Sequence, residues 1–182
     1  WVLNQVCIDY AAWQKRVSDP GRVAINLSLK ELSQASFIPR CRSVFERHNV
    51  SASCVELEIT ETTLMLDAER TLPLLDELRS MGIHLSIDDF GTGYSSLSAL
   101  QQFPISTLKI DRSFVTNAAT DPDDATIVRT IIEMGRSLGL QVIAEGIETE
   151  EQRYFLLHSG CQMGQGRLFG DAISSNAFLE LL

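Results

Sequence analysis

The sequence predicts an α/β protein assembled from repeated strand–helix units around a parallel sheet. Two observations carry that prediction. Short runs rich in β-branched and apolar residues alternate with longer segments whose apolar residues recur at helical spacing. The short runs also divide by the period of two, apolar on one face and polar on the other, with a polar group near the carboxyl end. Nothing between them reads as a linker or a low-complexity tract, so residues 1–182 are expected to form one domain.

From Trp1 the chain enters an apparently helical stretch. The first strand, VAINLS at 23–28, sets Val23, Ile25 and Leu27 against Ala24, Asn26 and Ser28. A helix is expected over 31–48, and VELEIT at 55–60 then opposes Val55, Leu57 and Ile59 to Glu56, Glu58 and Thr60. After a second helix over 64–81 comes HLSIDD at 84–89, where Leu85 and Ile87 oppose His84, Ser86 and Asp88. TLKID at 107–111 sets Leu108 and Ile110 against Thr107, Lys109 and Asp111. A helix over 125–138 leads to QVIAEG at 141–146, with Glu145 opposite Val142 and Ala144. The last unit is a helix over 150–158 and a strand CQMGQG at 161–166, with Gln165 opposite Gln162 and Gly164.

Composition excludes several classes. A chain that is 45% hydrophobic and 21% charged suits a packed domain and not a disordered one. A formal charge of −9 opposes binding to a nucleic-acid duplex, which rewards lysine and arginine. A single phosphodiester held through metal ions is compatible with it. Cys7, Cys41, Cys54 and Cys161 form no CxxC pair, so neither a zinc ribbon nor a disulfide framework is indicated, and a reducing compartment is expected. No apolar run reaches the roughly 20 residues of a membrane span.

A parallel sheet buried on both faces reads as nearly continuous apolar residues. These strands instead carry Asn26, Glu58, Asp88, Lys109, Glu145 and Gln165 on one face, each near a carboxyl end. If the sheet closes into a barrel, those groups converge at its C-terminal mouth, where active sites of such barrels sit. Singly, each has an ordinary reading: a turn or cap for Asp88 or Asp89, a solvated edge for Glu58, a snorkelling stem for Lys109, backbone bonding for Asn26 and Gln165. Their recurrence at matching depth on six strands favours a site.

Glu58, Asp88, Asp89 and Glu145 would bring four carboxylates together with only Lys109 to offset them, and burying uncompensated charge costs several kcal/mol per ion. Cations must supply the balance. Carboxylate and amide oxygens suit Mg²⁺ or Mn²⁺, whereas zinc favours His and Cys, and His48, His84 and His158 lack ligand spacing. Asp88 and Asp89 face opposite sides of a strand unless the strand ends between them. Adjacent carboxylates at such an end bridge two metals about 4 Å apart, a geometry used for in-line displacement at phosphorus.

The segments WVL, INLS, LEITET, DDFGTGYSSL, LKIDRSFV, IAEGIET and QGRLFG, running from Trp1 to Gly170, resemble the EAL-domain phosphodiesterases that hydrolyse the bacterial second messenger cyclic di-GMP. The resemblance implies a (β/α)₈ barrel whose first strand runs antiparallel to the rest, with two Mg²⁺ or Mn²⁺ ions at its mouth. It implies that Asn26, Glu58, Asp88, Asp89 and Glu145 are metal ligands and that Lys109 orients and polarises the attacking water, with Asp89 and Glu145 in the catalytic set. Glu61 resembles the glutamate that anchors the DDFGTG loop, and Glu148 and Gln165 supporting groups. Asp111 and Gly166 are expected to contact substrate.

Two departures accompany the resemblance. The Glu-Ala-Leu motif that names the family is absent, and six strands instead of eight lead to the expectation of a barrel lacking its first strands, poor in activity by itself. The segment QGRLFGDAI also has Arg167 where the family commonly has an aromatic residue, and Asp171 and Ala172 where it has an Arg-Pro pair. The expected function is metal-dependent hydrolysis of cyclic di-GMP to linear pGpG. The alternatives are a silent module that binds cyclic di-GMP or a protein partner as a receptor, and a divalent-metal barrel acting on another phosphoester. Sensory or cyclase domains attached upstream, a homodimer, and a cytoplasmic location with a parent tethered to the inner membrane are further expectations.

Overall fold

The computed structural model describes residues 1–66, 68–93 and 97–182. Asp67, inside the helix expected over 64–81, and Tyr94, Ser95 and Ser96 of DDFGTGYSSL lie outside the described residues. Strand order follows chain order through six strands, and the first strand pairs parallel with the second, as do the third with the fourth, the fourth with the fifth and the fifth with the sixth. The residues group into two compact units.

The first unit holds Trp1–Glu58, Asp67–Leu85 and Ala172–Leu182. Helix α1 (Val2–Trp13) buries Cys7 and Tyr10, and β1 (Val23–Asn26) follows. The strand stops at Asn26, two residues short of expectation, because Ser28 leaves it to cap α2 (Leu29–Leu32) in a reciprocal capping box with Glu31. Helix α3 spans Phe37–His48. The single helix expected over 31–48 is therefore two. Pro39 explains the break: inside a continuous helix its ring would clash with the carbonyl of Ala35, whereas in the first turn of α3 its missing N–H costs nothing. Strand β2 (Val55–Thr60) pairs with β1 in the register Asn26↔Glu58, and Arg22, just before β1, makes a 2.9 Å ion pair to buried Glu56. Helix α4 (Glu61–Leu66) belongs to the second unit, and α5 (Ala68–Ser80) buries Leu75 and Leu78 in the first.

The second unit holds Ile59–Leu66 and Ser86–Asp171. Strand β3 (His84–Phe90) enters it at Ser86, and α6 (Leu97–Leu100) precedes β4 (Thr107–Ile110). Helix α7 (Arg112–Asn117) starts on the Asp111 cap. Asp121 and Pro122 start α8 (Pro122–Ser137), which packs on β5 (Gln141–Ala144) so closely that a Cβ at Gly135 would meet Val142 Cγ2 at 2.3 Å. A Thr149–Gln152 capping box opens α9 (Glu150–His158). Strand β6 is only Met163–Gly164, shorter than the expected 161–166; past it Gly146 (φ +70°) turns the chain after β5, and Gln165 still bonds Ala144 and Ile147 through its backbone. Helix α10 (Ser175–Leu181) returns to the first unit, with the Phe178 ring 4.8 Å from Trp13. Among the described residues no helix is long and apolar enough to cross a membrane.

Candidate metal centre

The centre is built on a β-bulge. Register along β3 and β4 runs Ser86↔Thr107, Ile87↔Leu108 and then Phe90↔Ile110, so Asp88 and Asp89 together oppose the single residue Lys109. Asp89 takes the left-handed conformation, φ 54°, that accommodates the extra residue, and Asp is among the few side chains that tolerate it. This corrects the expectation that the two carboxylates face opposite sides unless the strand ends between them. The strand continues to Phe90, and the bulge re-aims one of them.

Asp88, Asp89 and Glu145 each present a carboxylate oxygen, and the three oxygens lie within 4.8 Å of one another. Lys109, 3% exposed, sits among them with Nζ 3.0 Å from Asp88 Oδ1 and 2.5 Å from Glu145 Oε1. The Asp88 contact is a charge pair and not an aligned hydrogen bond, since Oδ1 has no partner with hydrogen-bond geometry. Glu145 Oε1 also accepts a 2.6 Å hydrogen bond from Gln165 Nε2.

Neighbouring groups fix the surroundings. Glu61, 2% exposed at the first residue of α4, accepts from the backbone N–H groups of Gly91 (3.0 Å) and Gly93 (3.1 Å) through Oε2. The loop after the bulge is thereby clamped to a helix start. Asp111 accepts from the backbone N–H of Ser113 at 2.9 Å and from its hydroxyl, which makes it a helix cap as well as a neighbour of Asp89. Glu148 is exposed, with Arg167 Nη1 4.0 Å from its Oε1. Gly166 packs on backbone: a Cβ there would lie 2.1 Å from Ile147 O and 2.3 Å from Ile147 N. Its observed contacts therefore explain the glycine by close approach of two chain segments.

Burial, then the charge of Asp88, then the hydrogen bond and charge of Asp111 raise the Asp89 carboxyl above its ordinary value, with Lys109 opposing. Burial also acts to raise Asp111, but the bonds from Ser113 and from Asp89 outweigh it and hold the Asp111 carboxyl low. The opposite directions describe one proton-sharing pair, Asp89 donating and Asp111 accepting. Three crowded carboxylate oxygens and one committed lysine form a hard-oxygen donor set with excess negative charge. Such a set fits Mg²⁺ or Mn²⁺.

Asn26 and Glu58 belong to the first unit, where they face each other across adjacent strands at the carboxyl end, Asn26 exposed and Glu58 buried. Sequence reasoning overlooked Ser86 and Thr107 as a pair. They are register partners, fully buried, one strand period before Asp88 and Lys109, and their hydroxyl oxygens lack hydrogen-bond partners. The strand alternation already placed them on the polar face.

Fold and site together define a parallel α/β protein with an acidic, cation-type centre built on consecutive strands. The sequence model of the EAL domain matches residues 1–172, and the chain belongs to that family. It is 42% identical over 179 residues to the bifunctional diguanylate cyclase/cyclic di-GMP phosphodiesterase MucR of Pseudomonas aeruginosa, covering 98% of this chain and 26% of that protein. The solved structure of the PaMucR phosphodiesterase–c-di-GMP complex matches with TM-score 0.94 and 42% identity, over 100% of this chain and 72% of that one. A manganese/cyclic di-GMP complex of Klebsiella pneumoniae BlrP1 matches with TM-score 0.80 and 29% identity, over 91% and 43% of the two chains. The fold is thus the α/β architecture of EAL barrels. The chain spans about a quarter of the length of the curated relatives it matches.

Proposed function

We propose that this chain carries the hydrolytic centre of a cyclic di-GMP phosphodiesterase that uses Mg²⁺ or Mn²⁺ and yields linear pGpG. The observation that supports it is the convergence of Asp88, Asp89 and Glu145 oxygens around buried Lys109 in an EAL family chain. Bound at these carboxylates, divalent cations would neutralise charge on the scissile phosphate.

The side chains account for the remaining work. A water oxygen bonds to phosphorus, the bond to one ribose 3′-oxygen breaks, and the departing oxygen takes up a proton. Lys109 Nζ, fixed by two carboxylates, orients the water and stabilises the charge that develops on the phosphoryl oxygens. The proton leaving the water passes to the carboxylate cluster. Gln165 holds Glu145 in place, and Glu61 holds the loop that follows the bulge.

The test is incubation of the protein, within the complete EAL barrel, with cyclic di-GMP and Mg²⁺ or Mn²⁺, with products separated by chromatography. Formation of pGpG that stops on chelation is expected. Turnover that survives chelation overturns the metal assignment, and tight binding of cyclic di-GMP without cleavage assigns a receptor role instead.

A further inference from the structure

The segment QGRLFGDAI departs from the pattern the rest of the chain follows, and Arg167 is its one cation. Its backbone is rigidly placed. Gln165 N–H donates to Ala144 O (2.9 Å), Ile147 N–H to Gln165 O (3.0 Å) and Leu168 N–H to Ile147 O (3.0 Å), so residues 165–168 are laced to both edges of Ile147. With no space for a Cβ at Gly166, the lacing cannot slide without losing those bonds. Two residues before Arg167, Gln165 bonds Glu145 within the carboxylate cluster. The guanidinium is therefore tethered by a short, fixed stretch of chain to the rim of the centre.

Its charge is also available. The Arg167 side chain is 80% exposed, and its approach to Glu148 is at 4.0 Å, too long for a bidentate pair. Lys109, by contrast, is buried and committed to Asp88 and Glu145. A cyclic dinucleotide carries two phosphodiester charges, and the carboxylate centre receives one of them. The second needs donors of its own, and an exposed guanidinium supplies paired donors at phosphate geometry.

We infer that Arg167 is a substrate-binding residue that exchanges its loose contact with Glu148 for the non-scissile phosphate of the dinucleotide. This deepens the proposed function and rests on it. Uniform binding of this kind lowers KM without changing the chemical step.

The experiment compares the protein with its Arg167→Ala and Arg167→Lys variants on cyclic di-GMP and on bis(p-nitrophenyl) phosphate, which has one phosphodiester and no second phosphate. Arg167→Ala should raise KM for cyclic di-GMP about tenfold or more with kcat within about twofold, and the loss in kcat/KM should exceed that on the small ester by about tenfold. Arg167→Lys should recover part of the affinity. Equal losses on both substrates, an unchanged KM, or a lowered kcat at constant KM would overturn the inference. Should the unsubstituted protein bind cyclic di-GMP without cleaving it, the hydrolytic reading fails separately, and the same tenfold criterion applies to Kd. Absence of both binding and cleavage refutes both.

Discussion

Lys109 Nζ lies 2.5 Å from Glu145 Oε1, a contact between a side chain of β4 and the residue just past β5, strands whose backbones pair Lys109↔Ile143. The same ammonium reaches Asp88 on the opposite neighbour. One buried cation thus spans three strands and sets the spacing of two carboxylates.

Replacing Lys109 by Met keeps the stem and removes the charge. Turnover of cyclic di-GMP is expected to fall about 10² to 10⁴-fold, the range associated with a lost proton-positioning or charge-stabilising group. Manganese affinity measured by calorimetry should hold or tighten, because the carboxylates lose their internal counter-charge. Loss of manganese binding in parallel with activity would contradict this division of roles.

Asp89→Asn separates stability from function. The raised Asp89 carboxyl means that its ionised form is disfavoured in the fold, so its stabilising contribution is present below the ordinary aspartate range and is lost as pH rises through the raised value. At neutral pH, without divalent ions, the Asn variant should therefore melt higher than the parent, and Asn keeps the left-handed backbone at this position. With Mn²⁺ present the parent should gain more than the variant. A lower melting temperature for the ion-free variant would show that repulsion at the bulge is not a net cost.

Gly93→Ala tests the Glu61 clamp. The added Cβ would lie 2.9 Å from Glu61 Cδ and 3.0 Å from Oε1, so the carboxylate or the loop must move. Overpacking of this kind costs about 1–3 kcal/mol. Turnover should fall with little change in the far-ultraviolet spectrum, and an unaltered rate would detach the clamp from catalysis.

Much of this was legible in the chain. Alternation on HLSIDD and TLKID put Asp88 and Lys109 on polar faces, and the two side chains meet at 3.0 Å, because side chains in strands have a period of two whatever their neighbours. The bulge was hidden, since Asp89 adopts the left-handed conformation without the glycine that usually signals it, and only the pairing with β4 reveals the extra residue. The break before α3 was readable in Pro39 but was overridden by the apolar spacing over 31–48. Asp111 shows a further kind of ambiguity: strand-end and cap readings fit the same residue, and both proximity to Asp89 and capping of Ser113 hold.

The buried thiols predict an alkaline limit. Burial pushes Cys7 and Cys41 up to about 11 and Cys54 to about 12. Folded values above the unfolded ones give stability that is complete below the ordinary thiol pKa of 9.0 and is lost between there and the raised values. Urea midpoints should decline from pH 9 to 11, and less steeply for Cys54→Ala than for the parent. Parallel slopes would remove Cys54 from the account.

The bond from Glu61 to two glycine amides has a consequence for solvent exchange. A glycine loop at a strand end would ordinarily swap its amide hydrogens for deuterium within seconds, since nothing in its own backbone protects them. At Gly91 and Gly93 the acceptor is a buried carboxylate at the first residue of a helix. These two hydrogens should exchange only when that helix start opens, so their deuteration rates report the opening of α4 and not the motion of the loop.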